Sequence, residues 1–504
     1  MKNKILFASV LALASTALQA QDMYDVARLS TSDLQGTARY IGMGGAMGAL
    51  GADLTAMNTN PAGLGIYRSN DVAATLGVSM LNNGTTIDED NRKTSRVSFD
   101  QLGLVITNKY GNYTSLKYIN FGFNYRKHKN FFDDFSVANN WGGGFSQTYQ
   151  MADMTFGETD PSNMPVLPAV AAQAGALGTD ESGKYTGTGA YNTTYNMKST
   201  GGIHEYDFSV AANWSDQYFL GLSLAYYHAS FDRGTWYSEY GEDDCSYDMY
   251  NYYRTRGSGM NIKLGGIIRP VADSNFRFGL SLQSPTFFLL TDENGVDITS
   301  YDEYGAEMGN SNAQVDPVDY ELATPWKFNF SLGHTFGNTL ALGAEYQLEN
   351  YRGISIREKD GYITDYTEYV NATVDNQLEA VHTLKLGAEV KVTPELAFRA
   401  GYNYSTAAFN EGAFRSLYNF ADMYIDTFTE TSYENTLDLH RLTCGIGYRT
   451  SSFYADLAYQ YTMQKADFYA FDDSYSDGGI VNYLPATRID KNRSQLSLTL
   501  GYRF

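Results

Sequence analysis

Fourteen stretches of this chain alternate, residue by residue, between apolar and small or polar side chains. In the first, residues 72–80, Val72, Ala74, Leu76, Val78 and Met80 are apolar, with Ala73, Thr75, Gly77 and Ser79 between them. In the last, residues 493–504, Leu496, Leu498, Leu500, Tyr502 and Phe504 share one face and Gln495, Ser497, Thr499, Gly501 and Arg503 the other. A period of two marks a strand with one greasy and one polar face. The twelve between them are residues 97–107, 116–126, 205–214, 218–230, 260–270, 276–284, 326–336, 339–348, 381–392, 396–404, 438–448 and 453–463. Soluble strands run about 5–6 residues. Most of these run 9–13, the length that crosses a bilayer at a tilt of about 45°.

The connections alternate too. Residues 214–217, 271–275, 337–338, 393–395 and 449–452 are short; 127–203, 231–259, 285–325, 349–380, 405–437 and 464–492 are long. Short periplasmic turns and long external loops are the signature of an outer-membrane barrel. The expected fold class is therefore all-β: a transmembrane antiparallel β-barrel of about 14 strands over residues 71–504, with both barrel ends on the periplasmic side. No run of 18 apolar residues predicts a helical span.

The chain opens with Lys2 and Lys4, then an apolar run over residues 5–18, then the small residue Ala20. That order predicts an export signal over residues 1–20 and a mature chain beginning at Gln21. Residues 36–67 are rich in glycine and small side chains and carry Asn60-Pro61-Ala62-Gly63. Residues 21–70 read as a small plug, or hatch, folded inside the barrel, where glycines allow tight turns in a narrow space. Gly42, Gly44, Gly45 and Gly48 miss the G-x-G-x-x-G spacing and follow no strand, so they predict no dinucleotide loop.

A net charge of −21, from 36 basic and 57 acidic residues, excludes a nucleic-acid partner. Cys245 and Cys444 are too far apart in sequence to mark a disulfide framework or metal site, and six histidines form no HExxH or CxxCH pattern. No enzyme, cofactor or metal is expected. By parity with Gln495 and Thr499, Lys263, Arg277, Lys327, Lys385, Arg399 and Arg441 face the lumen. Arg or Lys on the lipid face would cost about 2–4 kcal/mol at mid-depth. Two readings stay open for these bases: a patch for the head group of an amphipathic substrate, or a ladder paired with Glu345, Glu389 and Asp207. Residues 292–321 hold many carboxylates and no Lys or Arg. Residues 127–203 mix Phe131, Phe132, Phe135, Trp141, Phe145, Tyr149, Met151, Met154 and Phe156 with glycines. That loop either folds back over the barrel mouth or grips a greasy ligand.

The run Arg39-Tyr40-Ile41-Gly42-Met43-Gly44-Gly45-Ala46, followed by Asn60-Pro61-Ala62-Gly63-Leu64, resembles the FadL/TodX-type outer-membrane transport family, in particular haemin-receptor-like members in Bacteroidota. The resemblance implies a 14-stranded barrel with an N-terminal hatch carrying an Asn-Pro-Ala motif. It also implies passive transport of hydrophobic or amphipathic small molecules, such as long-chain fatty acids, captured by external loops. They would be released sideways into outer-membrane lipid past the hatch, through a kinked third strand. Gly122 is the candidate kink, and Asn60, Pro61 and Ala62 are expected to touch the wall beside it. A monomer is expected, since a closed barrel has no free edge. Two other roles stay open: a protein-shuttling barrel of the type IX secretion machinery, which shares the motif, and a surface receptor or adhesin with a sealed barrel.

Overall fold

The computed structural model describes residues 21–504 apart from 83–93, 112, 140–143, 242–245, 272, 416–426, 473, 477–478 and 483. The expected signal, Trp141 and Cys245 lie outside the described residues. Each alternating stretch forms a strand. These are β1 Asp71–Leu81, β2 Ser95–Lys109, β3 Leu116–Asn130, β4 Ala190–Trp214, β5 Tyr218–Gly241, β6 Ser246–Ile268 and β7 Arg277–Gln283. They continue with β8 Lys327–Phe336, β9 Leu340–Asn350, β10 Ala380–Lys391, β11 Leu396–Ser405, β12 Tyr433–Arg449, β13 Phe453–Tyr469 and β14 Arg493–Arg503. Every neighbouring pair is antiparallel, and β14 returns to pair with β1 from Asp71 opposite Arg503 to Leu81 opposite Arg493. Fourteen strands therefore close on themselves.

Closure sorts the two faces. Leu220, Leu222 and Leu224 on β5 and Phe328 and Phe330 on β8 stand exposed on the outside, while Thr75, Asn124, Ser331 and Thr499 are buried inside. The polar-in, apolar-out alternation is that of a membrane barrel.

Strands β4, β5 and β6 are 25, 24 and 23 residues long, about twice what a bilayer crossing needs. Their loop-end halves stand clear of the apolar band. They continue the wall with Phe287–Tyr301, which pairs along β6 from Met260 to Ser246. Much of what reads in sequence as long loop is thus strand. The outward positions there mix charged residues such as Arg254, Arg256 and Asp232 with exposed Trp236, Tyr240 and Tyr250, so the continuous aliphatic face that marks a membrane strand is missing. The aromatic stretch after β3 folds back over the mouth: Phe131, Phe132, Phe135, Met151 and Met154 are buried.

Residues 21–70 run down the inside of the barrel. They contain α1 Met23–Ser30, α2 Ala38–Gly42, α3 Ala56–Thr59 and a 3-10 turn, Pro61–Ile66. Most of this backbone is irregular, so its polar groups need partners. The polar inner wall supplies them. Thr499 Oγ1 accepts from Ala38 N at 2.7 Å, Glu345 accepts from Gly48 N at 3.0 Å, and Asn120 donates to Leu64 O at 2.8 Å. The register aligns Gly333, Gly343, Gly387 and Gly401 across β8–β11, and residues 43–50 lie along this smooth row. A Cβ at Gly387 would meet Met43 O at 2.4 Å, and one at Gly401 would meet Gly44 N at 2.2 Å. Gly44 and Gly45 have φ of +61° and +80°, so the segment itself needs glycine where it turns against that row.

The Asn-Pro-Ala turn is not beside Gly122. It packs on β5 and β6, where a Cβ at Gly221 would lie 2.3 Å from the Pro61 carbonyl carbon and one at Gly265 would lie 2.1 Å from Asn60 Oδ1. Gly122 lies under Met57 and Leu64 instead. The ladders on both sides of β3 run unbroken through Gly122, so there is no kink there. The glycine makes room for packing.

Replacing Gly387 by Val should leave the barrel closed but force residues 43–46 off the wall, at a cost of about 1–3 kcal/mol. Heat-induced unfolding on a gel should occur at lower temperature, and protease should reach this segment. Gly353→Ala, where a Cβ meets nothing within 4 Å, should behave as the parent does.

Candidate functional site

Beside residues 24–35 of the inner segment, and on the loop side of Tyr40, Asn58 and Thr59, lies a cavity of about 360 Å³. Its wall comes from almost the whole circumference, with Gln283, Asn329, Gln347, Thr383, Asn403, Thr462 and Gln495 among its polar members. Phe131, Phe135, Tyr195 and Phe468 line its loop end, with Tyr195 and Phe468 rings 4.6 Å apart. Val381, Ala407, Ala408, Phe409 and Leu437 give one side an apolar surface.

Ten Lys or Arg side chains and five Asp or Glu side chains line this space. Eight of the ten bases are ion-paired: Arg28, Arg126, Lys129, Arg233, Lys327, Lys385, Arg415 and Lys491. Among the described residues, Arg441 and Arg493 make no ion pair. Arg441 donates to Asn403 Oδ1 at 3.0 Å and Arg493 to Phe132 O at 2.6 Å. Both are opposite Thr462, on either side of β13, so their Cα atoms are about 10 Å apart at the usual strand spacing. Two guanidiniums at that separation can converge on one carboxylate or phosphate between them.

The inner segment brings one carboxylate to the same place. Asp33 accepts from Lys129 Nζ at 3.1 Å and from Asn130 N at 2.9 Å. Burial pushes its pKa up, but Lys129, Arg493 and Arg441 outweigh that and hold it at about 2. An ionised Asp33 therefore occupies part of the field that an incoming anion would meet.

Of the six bases predicted from parity, Lys327, Lys385 and Arg441 line the cavity. Lys263, Arg277 and Arg399 do not; the inner segment covers them. Lys263 is locked between Glu205 and Asp207, Arg277 donates to Leu50 O at 2.6 Å, and Arg399 bridges Glu389 and Asp456 at 2.7 and 2.6 Å. For Lys263, Lys327, Lys385 and Arg399 the ladder reading thus describes the observed partners, with Lys385 on Glu345 at 2.6 Å and Lys327 on Glu349 at 2.8 Å. Asn60 caps its own turn by accepting from Ala62 N at 3.1 Å and donates to Gly266 O at 3.3 Å. Pro61, Ala62 and Gly63 are buried below the cavity floor. Sequence reasoning missed Arg493, although it shares the parity of Gln495. It also missed Lys129, whose parity is shifted by a register slip between Lys127 and Lys129.

A closed wall banded with exposed apolar side chains and a polar interior defines a transmembrane β-barrel. No protein-family model matches the chain, and no curated protein matches it. Among solved structures it is similar to a FadL homologue of Pseudomonas aeruginosa, at 14% identity and a TM-score of 0.50, over 94% of this chain and 100% of that one. It is also similar to the toluene transporter TbuX of Ralstonia pickettii, at 14% identity and a TM-score of 0.49, over 94% and 99% of the two chains. For the monoaromatic hydrocarbon channel CymD the values are 12%, 0.49, 94% and 98%. The first likeness establishes the fold, a closed fourteen-strand barrel of FadL type.

Arg39 of α2 pairs with Glu389 at 2.8 Å, and Glu389 also holds Arg399. Glu389→Gln leaves both guanidiniums facing a neutral amide, and losing one member of such a buried group costs about 3–5 kcal/mol. We expect the variant to insert as a barrel but to show larger and noisier single-channel conductance in planar bilayers.

Proposed function

We propose that this barrel is an outer-membrane transporter of hydrophobic or amphipathic small molecules, in which residues 21–70 act as the hatch and residues 1–20 as the export signal. The observation that carries the reading is the pair Arg441 and Arg493, guanidiniums without an ion pair among the described residues, facing a cavity that also has an apolar side. An amphipathic acid of the long-chain fatty-acid kind matches both: its carboxylate between the two arginines, its chain along Val381, Ala408 and Phe409. The aromatic segment folded over the mouth would capture it. Residues 39–46 and 60–64 resemble the haemin-receptor-like members of the FadL/TodX-type family. Transport is passive, by diffusion down a gradient.

The exit we propose is sideways, between β7 and β8. β7 is the shortest barrel strand, with 7 residues. Beyond Gln283 and Lys327 the regular ladder is interrupted and resumes at Phe287 opposite Ala323. Within the interruption Thr324 N donates to Thr286 O at 3.1 Å and Thr286 N to Thr324 Oγ1 at 2.9 Å, which leaves residues 284–285 facing 325–326 as the gap. Pro285 and Pro325 sit in that gap, and proline cannot donate to a ladder. On the lipid side a groove of about 840 Å³ runs over Leu280, Leu282, Phe328 and Phe330, and Ser281 and Asn329 line both it and the cavity. The hatch stands at the same place, since Ser281 Oγ donates to Thr59 O at 2.7 Å.

Uptake of a labelled long-chain fatty acid, in cells with and without the gene, tests the function. Replacing Arg441 and Arg493 together by Gln should raise the half-saturating concentration for the acid about 10–100-fold, as expected for losing charged hydrogen bonds of about 1.5–3 kcal/mol, and leave its methyl ester unaffected. Equal uptake across a panel of hydrophobic ligands with and without the barrel would sink the proposal.

The exit is tested by cross-linking. Leu282 and Phe328 are opposed across β7 and β8, close enough for a disulfide in an antiparallel pair. With both native cysteines replaced by serine, Leu282→Cys with Phe328→Cys should block uptake until reduced. The same bridge across Leu104 and Phe123, opposed on β2 and β3, should not.

A further inference from the structure

The loop end of the inner segment is held in a cluster of buried charges that is one cation short. Asp22 pairs with Arg415 at 2.5 Å, Asp25 with Arg28, and Glu430 with Arg233 at 2.5 Å. Asp292, on Phe287–Tyr301 above the apolar band, is 4% exposed and has no basic partner among the described residues. Its Oδ2 accepts from Tyr253 OH at 2.5 Å and from Gln21 Nε2 at 3.1 Å; the hydroxyls of Thr255 and Tyr320 also face this carboxyl, and its Oδ1 is buried without a well-aligned donor. Burial first, and Asp25 second, raise this carboxyl to about 6. Hydroxyls and an amide do not neutralise a buried carboxylate, and three arginines against four carboxylates leave one of them without a cation.

Gln21 is the residue that touches Asp292. It has no exposed surface, its Oε1 has no partner, and its carbonyl accepts from Tyr366 OH at 2.5 Å. As an ordinary chain member it brings no charge to this cluster. As a first residue it would bring one. Hydrolysis of the Ala20–Gln21 peptide bond by an export peptidase adds the hydroxyl of water to the Ala20 carbonyl and its proton to the Gln21 nitrogen. The free amine then takes up a second proton, since α-amino groups titrate at about 7.7–8.0.

We propose that the mature chain starts at Gln21 and that its α-ammonium group is the missing cation, seated against Asp292. The ammonium has three protons to give, and Asp292 Oδ1 and Gln21 Oε1 are two buried acceptors waiting for them. The pairing ties the start of the inner segment to the outer wall just above the Pro285 gap. It makes processing and docking one event: a chain still carrying its leader cannot complete the cluster.

Mass analysis and stepwise N-terminal sequencing of protein purified from its membrane should give a chain beginning at Gln21 with a free amine. In the native barrel that amine should react with an amine-specific acylating reagent at least about tenfold more slowly than a Gln-initiated peptide does, the factor one charge-assisted hydrogen bond supplies. Asp292→Asn should remove most of that protection, and Asp292→Glu should restore part of it. A different first residue, a Gln21 cyclised to its lactam with loss of ammonia, or an amine that reacts at the peptide's rate in the native barrel would each overturn the proposal. The native measurement stands whether or not the Asn variant folds.

Discussion

A strand in hydrocarbon cannot leave a backbone N–H or C=O unpaired, and the fourteen strands meet that demand only because β14 comes back to β1 along its whole length. Everything else follows from this ring. One face of every strand must tolerate lipid, so every charge the strands carry near mid-depth has to turn inward. The interior then collects Arg126, Lys263, Lys327, Lys385 and Arg399 together with Glu205, Asp207, Glu345, Glu349, Glu389 and Asp456, and these pair across neighbouring strands, with Arg39 of the inner segment as the sixth base. Among the described bases that line the cavity, Arg441 and Arg493 stand out, because neither is ion-paired with a described carboxylate.

The same polar interior lets an irregular segment fold where a helix or strand would not fit. Its carbonyls and amides are met by Asn120, Glu345, Asn403 and Thr499. Its width is accommodated by the glycine row through Gly343, Gly387 and Gly401. Wall and segment are therefore complementary in two ways, shape and hydrogen bonding, and neither surface has a satisfactory partner without the other. This gives the high glycine content a structural cause: some glycines serve turns in the segment, and others serve the wall it rests on.

The ring was legible in the sequence because a period of two, repeated at membrane length, has few other solutions. All fourteen strands fall where the alternation puts them. What was not legible depends on register. That Gly333, Gly343, Gly387 and Gly401 form one row can be read only once β8–β11 are paired. Gly122 looked like a kink because a lone glycine in a strand can serve either bending or packing, and only Met57 and Leu64 above it decide between them. Parity puts Lys263 and Arg399 inside, but it cannot say which inward bases lie under the segment and which stay open to the cavity. The strand extensions were hidden because beyond the lipid the outward face mixes charged and aromatic residues and no longer alternates cleanly.

The distribution of anchors along the inner segment decides which part can move. Residues 36–50 are fixed by the buried pair of Arg39 with Glu389 and by Glu345, which serves Gly48 and Lys385 at once. Freeing them means breaking the buried Arg39–Glu389 pair, at about 3–5 kcal/mol, and the charged hydrogen bond from Gly48 to Glu345. Around the Asn-Pro-Ala turn the wall contacts are of another kind. They are glycine surfaces at Gly221 and Gly265 and neutral hydrogen bonds from Ser281 to Thr59 and from Asn60 to Gly266, each worth about 0.5–1.5 kcal/mol. A shift confined to residues 59–62 therefore costs far less than ejecting the segment. It would uncover the β7 wall beside the Pro285 gap while the ion-paired part stays in place.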